Sequence, residues 1–443
     1  MKRIFYVLLM MLCLACENDD SFSTSPGLQL DFSVDTLSLD TLFSKTPSST
    51  YAFWVHNRND QGLKLMTVRL KRGNQSGYRV NVDGVYLDNA NGSQTSNVEI
   101  RRKDSILVFV ELTAPENKQK VPALVEDDLL FNLESGKVQQ VNLRAWAWDA
   151  RKLYDPVISK DSVIESEQPL VVFGDLKVTE GVTLTLRNTT LYFHDGAGVL
   201  VEGTLKTENC LMRGDRLDRM FDYLPYDRVS GQWNGIRFTK TSNDNCLIDT
   251  EIRNSTEGIV CDSAVLDETR YRLDMQNCIV HNSQGTGVRT VNANVRLDHC
   301  QLTNAGGDCL VVYGGKAVVS YCTMAQFYPF SADRGAALRL TNAWGGKGVG
   351  LDIEVTDCIL TGYADDVVMR EKMDEGAAFD YLFNHSLLRT PKEEDSAHFI
   401  DILWETPKDE VQGKDQFIKI DSENLAYDFH LSEKSTAKGM GCY

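Results

Sequence analysis

The chain has 443 residues, of which 42% are hydrophobic, and a formal net charge of −17 at pH 7. This length allows two or three domains, and the apolar content with only 10 prolines argues against disorder. The excess of acidic residues excludes nucleic acid as a partner. It also excludes an anionic lipid surface that would be bound through charge.

The first sixteen residues, MKRIFYVLLMMLCLAC, join two cations to an apolar run that is too short to cross a bilayer. Residues 1–15 have the layout of a signal peptide. Their end resembles a bacterial lipobox with Cys16 as the acylated residue, although Cys13 replaces the usual aliphatic side chain. Cleavage that leaves Cys16 unmodified is the alternative.

The acidic cluster Glu17-Asn18-Asp19-Asp20 resembles the export tag of surface lipoproteins in anaerobic Gram-negative gut bacteria. The resemblance implies an outer-membrane protein that faces outward, with a periplasm-facing orientation as the alternative. We expect the lipid anchor to be its contact with the membrane, because no other apolar run of spanning length occurs in the sequence.

Residues 16–27 form an acidic and polar tether, and residues 28–150 contain short strand-like segments divided by turn signals. This pattern predicts a β-sandwich. The segments FWVHNRN (53–59) and LRAWAW (143–148) resemble Ig-like domains of the Hydin or abnormal-spindle type, which usually space or present another domain. For Trp54, Trp146 and Trp148 we expect core packing, with a sugar-stacking platform as the alternative.

From residue 169 onward, a two-strand motif returns to a small residue at intervals near 22, as at Cys278, Cys300 and Cys322. This period predicts the stacked coils of a parallel β-helix over residues 169–443, with residues 151–168 as a linker and lead-in coil. The small residues should form an internal ladder: Thr189, Cys210, Thr250, Cys278, Cys300, Cys322 and Cys358.

Two further expectations follow from the repeat, and a third rests on a resemblance. The ladder cysteines should be buried free thiols, because stacked side chains do not easily reach the disulfide torsion. Asn254, Asn282 and Asn304 should hydrogen-bond the backbone of the next coil at a recurrent corner. The segment from Phe417 to Gly441 resembles the closing coils of bacterial β-helix proteins.

The largest departure from the repeat is an insertion at residues 213–232, and solenoid insertions usually lie on one face. Acids, guanidinium groups and phenols together suit a carbohydrate or a cation such as calcium, although a solvated loop held by its own ion pairs would have the same composition. The candidate ligand-binding residues are Asp215, Arg216, Asp218, Arg219, Asp222, Tyr223, Tyr226, Asp227 and Trp233. A second insertion with Phe327 and Trp344 is a weaker candidate.

No catalytic constellation is recognisable in the sequence. Of the polygalacturonase pattern only Asp365-Asp366 occurs, without the Gly-His-Gly that should follow it. A lyase site needs acids around calcium and a base, but Asp249, Asp274 and Asp298 do not evidently converge. The histidines His194, His281, His299 and His385 are scattered near turns.

As a whole the chain resembles uncharacterised right-handed parallel β-helix surface lipoproteins, with GDRLD, PYD and SGQW (214–233) as the most specific stretch. The expected fold class is all-β: an Ig-like β-sandwich followed by a right-handed parallel β-helix solenoid. The expected function is non-catalytic binding of a polysaccharide or a surface protein. A polysaccharide lyase or glycoside hydrolase, and a structural envelope protein or adhesin, are the alternatives.

Overall fold

The computed structural model describes residues 21–221 and 223–443, so Cys16 and Asp222 lie outside the described residues. Two compact units meet in sequence between Asp149 and Ala150. In these described residues, both units consist of β-strands, with short 3₁₀ helices at Gly73–Gln75, Asn89–Asn91, Tyr226–Arg228 and Gly413–Gln416. In the described part of the chain, no helix is long and apolar enough to cross a membrane. The predicted all-β fold, a β-sandwich followed by a parallel β-helix, is confirmed.

The first unit is a sandwich of two five-stranded sheets. Its strands are β1 Asp31–Phe32, β2 Thr36–Phe43, β3 Tyr51–His56, β4 Leu63–Leu70, β5 Tyr78–Val82, β6 Val85–Tyr86, β7 Gln94–Ile100, β8 Ser105–Leu112, β9 Ala123–Leu133 and β10 Val138–Trp148. The sheets are ordered β1-β3-β8-β5-β6 and β2-β10-β9-β4-β7. The strand pairings are antiparallel except for β2 with β10. Alternate side chains are buried along strands such as β8 and β10, as the period of two requires.

The expected core packing of the sandwich tryptophans is wrong for two of them. Trp54 is 46% exposed and Trp146 is 44% exposed. They lie on β3 and β10, which belong to different sheets, so they do not form a shared platform. Trp148 is partly covered and stacks on Phe43 with ring centroids 6.1 Å apart. The assignment of this unit to the Ig-like type remains a prediction.

The second unit winds a 25-stranded parallel sheet around one apolar core. Residues 151–165 already pair with the following coil and therefore form the first coil of the solenoid. Two short antiparallel hairpins lie outside this sheet, β19 Arg219–Phe221 with β20 Leu224–Pro225 and β31 Ala343–Trp344 with β32 Lys347–Gly348. The strands of the parallel sheet are β11 Arg151–Tyr154, β12 Val157–Ile158, β13 Ser162–Glu165, β14 Leu170–Phe173, β15 Leu176–Val178, β16 Thr183–Phe193, β17 Val199–Val201, β18 Thr204–Gly214, β21 Ile236–Phe238, β22 Asn245–Arg253, β23 Ile259–Cys261, β24 Leu273–Gln276, β25 Ile279–Ser283, β26 Val288–Asp298, β27 Gln301–Ala305, β28 Leu310–Ser320, β29 Thr323–Gln326, β30 Leu338–Thr341, β33 Leu351–Thr356, β34 Ile359–Gly362, β35 Val368–Glu371, β36 Phe379–Asn384, β37 Leu387–Leu388, β38 Phe399–Ile400 and β39 Leu403–Trp404.

The predicted ladder of small residues lies inside the solenoid, where Thr189 pairs with Cys210 and Cys210 with Thr250 in parallel register. The backbone N–H of Cys300 donates to Sγ of Cys322 at 3.4 Å. The cysteines from Cys210 to Cys442 are free, as expected for the ladder. Burial raises the pKa of the Cys322 thiol well above its usual range, which keeps it protonated and unreactive.

A left-handed corner explains why the repeat needs a small residue at the ladder position. The residue just before each ladder residue has a positive φ. Asn and Asp adopt this conformation at low cost, and the bend it produces turns one strand into the next. A small side chain then fits the tight inner side of the corner. The corner residues and their φ angles are Asn188 (47°), Asn209 (51°), Asp249 (47°), Asn277 (52°), His299 (51°), Tyr321 (48°) and Asp357 (55°).

The end of the chain corrects the expectation of closing coils. Residues after β39 do not add further turns to the solenoid. They form an antiparallel hairpin of β40 Phe417–Asp421 and β41 Ala426–Leu431, which lies on the outside of the coils. Phe417 and Phe429 of this hairpin pack on Phe327, Ile359 and Leu387 of the solenoid in a separate apolar cluster.

A buried polar network fixes the C-terminal segment to the last coils. The Glu405 carboxylate accepts hydrogen bonds from Thr361 Oγ1 and from Gln416 Nε2, the latter at 2.9 Å, and pairs with Arg389 at 3.2 Å. Gln416 also accepts a hydrogen bond from Ser435 Oγ at 2.7 Å. The side chains of Arg389 and Glu405 are 6% and 1% exposed, so each charge depends on the other for compensation.

Replacing Glu405 with Met should destabilise the solenoid by about 3–5 kcal/mol, because Arg389 would keep its charge without its buried partner. Asp365 provides a matched control. It pairs with the same Arg389 at 3.0 Å, but its side chain is 72% exposed. Asp365→Asn should therefore cost less than about 1 kcal/mol. Chemical denaturation of both variants measures the difference, and equal losses would contradict the role assigned to Glu405.

Candidate functional site

One face of the solenoid carries two parallel columns of outward side chains at about 4.8 Å spacing, the distance between neighbouring strands. We call it the groove face. The first column runs through Thr190, Leu211, Glu251, Ile279 and Gln301, and the second through Tyr192, Arg213, Arg253, His281 and Thr303. Between the columns lie inward residues such as Ile252 and Val280.

The insertion at residues 213–232 forms one wall of the groove face. Asn254 and Asn282, at the corners of successive coils, donate their side-chain N–H groups to the carbonyl oxygens of Asp227 (2.8 Å) and Arg228 (3.1 Å). The expectation that these amides bind the next coil's backbone is therefore corrected, because they bind the backbone of the insertion. Asn304 fits the expectation, since its side chain accepts from Phe327 N at 3.2 Å.

The C-terminal segment forms the opposite wall. The rings of Tyr427 and Phe429 lie edge-on to His281, with centroids 5.6 and 6.0 Å away. Tyr443 donates its hydroxyl hydrogen to Oε1 of Gln301 at 2.8 Å and stacks on His430 with centroids 4.1 Å apart. The insertion and the C-terminal segment, which are far apart in sequence, therefore lie on opposite sides of the same three coils.

Together they enclose a cavity of about 430 Å³, within the range of small-ligand sites. Its lining combines planar polar groups with aromatic rings, a mixture that can bind sugar hydroxyls and sugar ring faces. The residues that line it are Asp227, Arg228, Glu251, Arg253, Ile279, His281, Asn282, Gln301, Pro329, Leu425, Tyr427, Asp428, Phe429, His430 and Tyr443.

The charges in the cavity are mostly paired. Arg253 lies 3.3 Å from the Glu251 carboxylate and 3.9 Å from that of Asp227, which also pairs with Arg213. His281 contacts the Thr303 hydroxyl through Nδ1 at 2.8 Å. Burial, and then the nearby Arg253 charge, lower the pKa of His281 to about 4, so its imidazole is neutral at pH 7.

Several predicted residues of the insertion are occupied by contacts within it. Asp215 accepts from His194 Nδ1 at 2.7 Å, and burial raises the pKa of this carboxyl above its usual range. Arg216 makes two hydrogen bonds to Asp218 at 2.7 and 2.6 Å, and its guanidinium lies 3.9 Å from the Tyr226 ring centroid. These contacts fix the shape of the insertion.

The remaining predicted residues are dispersed. Trp233 is a correction, because it is 1% exposed and stacks on Phe193 at 4.3 Å in the core, where it cannot reach a ligand. Tyr223 is 79% exposed at the tip of the insertion, beside Phe221, and Arg219 lies in β19. Of the predicted residues that the structure describes, Asp227 lines the cavity described above.

The weaker candidates also have structural roles. Phe327 is buried under the C-terminal hairpin, and Trp344 lies on the short β31–β32 hairpin against Tyr313. Asp274 makes two hydrogen bonds to Arg296, at 2.8 and 2.5 Å, and Asp298 accepts from Ser320 at 2.6 Å. These acids therefore do not converge on a shared site.

Sequence reasoning missed most of the cavity. Glu251, Arg253 and Gln301 occupy ordinary outward positions of the repeat, and the sequence does not indicate which outward face becomes covered. The sequence did contain one signal for the shared column. Arg253 and His281 each follow their ladder residue by three positions, which places them one above the other. Among residues 21–221 and 223–443, no group of three or more His, Cys, Asp or Glu side chains is placed to hold a metal ion.

No family model matches the chain, and no curated protein matches it in sequence. Solved structures with similarity include the A-module of the mannuronan C-5 epimerase AlgE6 from Azotobacter vinelandii, at 12% identity over 59% of this chain and 91% of that chain, with a TM-score of 0.28. The catalytic unit of a GH87 alpha-1,3-glucanase from Streptomyces thermodiastaticus strain HF3-3 matches at 12% identity over 80% of this chain and 89% of that chain, with a TM-score of 0.26.

A protein of unknown function from Porphyromonas gingivalis W83 matches at 11% identity over 30% of this chain, with a TM-score of 0.21. The match spans half the length of that protein. At these identities and TM-scores no family assignment follows for the chain.

The neutral state of His281 predicts an acid-sensitive site. Because its folded pKa of about 4 lies below the ordinary value of 6.5, stability from this group is complete above pH 6.5 and is lost as the pH falls toward 4. In His281→Gln, the melting temperature should depend less on pH across this range than it does in the wild-type protein, because glutamine does not titrate. Thermal melts of both proteins across this range provide the measurement, and parallel curves would contradict the assignment.

Proposed function

We propose that this chain is a surface lipoprotein that binds a glycan, without cleaving it, in the cavity between the insertion and the C-terminal segment. One observation carries the proposal. Arg253 and His281 of the second column and Gln301 of the first column come from three successive coils and line one cavity. The other wall of this cavity contains Tyr427 and Tyr443.

The chemistry of these groups suits sugars. Guanidinium, amide, imidazole and phenol groups donate and accept hydrogen bonds in fixed planes, which match the rigid hydroxyls of a pyranose. Aromatic rings such as Tyr443, which is 46% exposed, offer apolar faces for the C–H side of a sugar ring. The exposed Phe221 and Tyr223 at the tip of the insertion could extend this contact surface.

The pairing of the cavity carboxylates supports binding rather than cleavage. Glycoside hydrolysis uses two carboxyl groups, one that protonates the leaving group and one that acts as base or nucleophile. Here Glu251 and Asp227 are engaged by arginines, and Asp428 contacts His430 Nδ1 at 2.7 Å. A polysaccharide lyase or glycoside hydrolase is the competing hypothesis, and the same assay separates the two.

The cellular setting belongs to the proposal as well. A lipid on Cys16, followed by the polar tether, would hold the two units at the outer membrane, with the acidic surface keeping them solvated. Periplasmic orientation and an adhesin role are the competing hypotheses. Calcium is included in the assay because carboxylates occur on both walls of the cavity.

The soluble fragment of residues 21–443 should retain a defined class of glycan on an array of plant, host and bacterial polysaccharides, with and without calcium. Arg253→Gln and His281→Gln should each weaken retention about tenfold, the loss expected when one hydrogen bond to a charged or buried group is removed. Tyr223→Ala measures the contribution of the insertion tip in the same assay.

Arg296→Gln is the matched control. Arg296 pairs with an acid on the solenoid, as Arg253 does, but it lies outside the cavity. It should leave retention unchanged, with the melting temperature of each variant showing that the fold is intact. Release of shortened or unsaturated sugars from a retained glycan would replace the binding proposal with the enzymatic hypothesis. An array on which nothing is retained would reject both.

A further inference from the structure

The groove face is blocked at one end of the cavity. Beyond Gln301 and Thr303, its next outward positions are Thr323 and Ala325, followed by Ile359. These side chains are 1%, 0% and 0% exposed, because the C-terminal segment covers them. A ligand that follows the groove face in this direction therefore meets protein directly after Gln301.

Three contacts hold this barrier in place. Tyr443 bonds Gln301 through its hydroxyl, the N–H of Cys442 donates to Thr323 Oγ1 at 3.2 Å, and the N–H of Gly441 donates to the Asp357 carbonyl at 2.8 Å. The aromatic cluster of the hairpin lies behind them. The barrier is thus a packed wall with its own hydrogen bonds.

The opposite end is open along one column only. In the second column, Arg213 and Tyr192 are 7% and 6% exposed. The insertion covers this column where its Asp227 pairs with Arg213. In the first column, Leu211 and Thr190 remain partly exposed next to Glu251. The first column therefore continues from the cavity as partly exposed surface that leads away from the barrier.

From this geometry we infer that the cavity binds the end of a glycan chain, which enters along Thr190, Leu211 and Glu251 and stops against Gln301 and Tyr443. The inference rests on the proposed function and narrows its ligand class from glycans in general to chain termini and short oligosaccharides. An internal segment of a long polymer would need an exit beyond Gln301, where the C-terminal segment lies.

The number of protein molecules bound per glycan chain tests the inference. The probes are cello-, manno- and malto-oligosaccharides and oligogalacturonides, each from the disaccharide to the polymer, together with a length series of any glycan retained on the array. Titration calorimetry should give one protein per chain at every length, with an affinity that stops rising after the first few sugars. Chemical blocking of one end of the chain should abolish binding.

Two substitutions at the barrier sharpen the test. Tyr443→Phe keeps the ring and should preserve the length limit, whereas Tyr443→Ala opens the wall and should let affinity rise with at least one further sugar. Both variants should stay folded, because neither changes the aromatic cluster behind Tyr443, and their melting temperatures check this. An unchanged length profile in Tyr443→Ala would contradict the assignment of Tyr443 as the stop.

The possible failures are distinguishable. Binding in which the number of proteins per chain grows with polymer length would overturn the inference and leave the proposed function intact, because it would show recognition of internal segments. Failure of every probe and of the array to bind would reject the proposed function, and the inference with it.

Discussion

The parallel register of successive coils is the constraint on which the rest of the second unit depends. Each coil must place its strands about 4.8 Å above the previous ones, so every position of the repeat becomes a column. Inward columns must pack, which selects Leu, Val and the small ladder residues. The corners must bend tightly, which selects Asn, Asp and other residues with positive φ. Outward columns are left free to differ, and on one face they bring Arg253, His281 and Gln301 together.

The columns alone would form an open, solvent-exposed surface. Two segments that depart from the repeat, the insertion and the C-terminal segment, cover part of this surface and form the cavity. The side-chain amides of Asn254 and Asn282 hydrogen-bond the backbone of the insertion. Residues at the corners of the coils therefore also hold one wall of the cavity. The C-terminal segment is also held through Gln416 and Glu405, which do not line the cavity. Contacts within the protein therefore position both walls, which allows the cavity to be preorganised.

Local sequence patterns predicted the features that depend on local periodicity. The all-β fold, the solenoid and the ladder through Cys278, Cys300 and Cys322 follow from alternation and spacing. The burial of Trp233 could not be predicted from its neighbours, because it depends on the insertion returning next to Phe193. The exposure of Trp54 and Trp146 has a similar cause, since alternation identifies two faces of a strand but not which one meets the other sheet.

The cavity itself could not be predicted for the same reason. Tyr427 and Tyr443 come from the end of the chain, and their approach to His281 depends on a hairpin that lies across the coils instead of extending them. The segment from Phe417 to Gly441 suggested continuation of the solenoid, whereas the antiparallel pairing of β40 with β41 leaves one face of the hairpin apolar. That face needed an apolar partner, and Phe327 with Ile359 provided one.

The distribution of charge in the cavity then limits what it can bind. Arg253 lies between Glu251 and Asp227, so an anionic ligand would have to displace a carboxylate that is already in place. A cation would meet Arg253 and Arg228 on the same surface. Neutral hydroxyl groups face neither cost, because each can donate to a paired carboxylate and accept from a paired guanidinium without separating them. In a chain whose net charge is −17, a cavity whose charges are mostly paired and whose walls are aromatic therefore favours a neutral, hydroxyl-rich ligand over an ionic one.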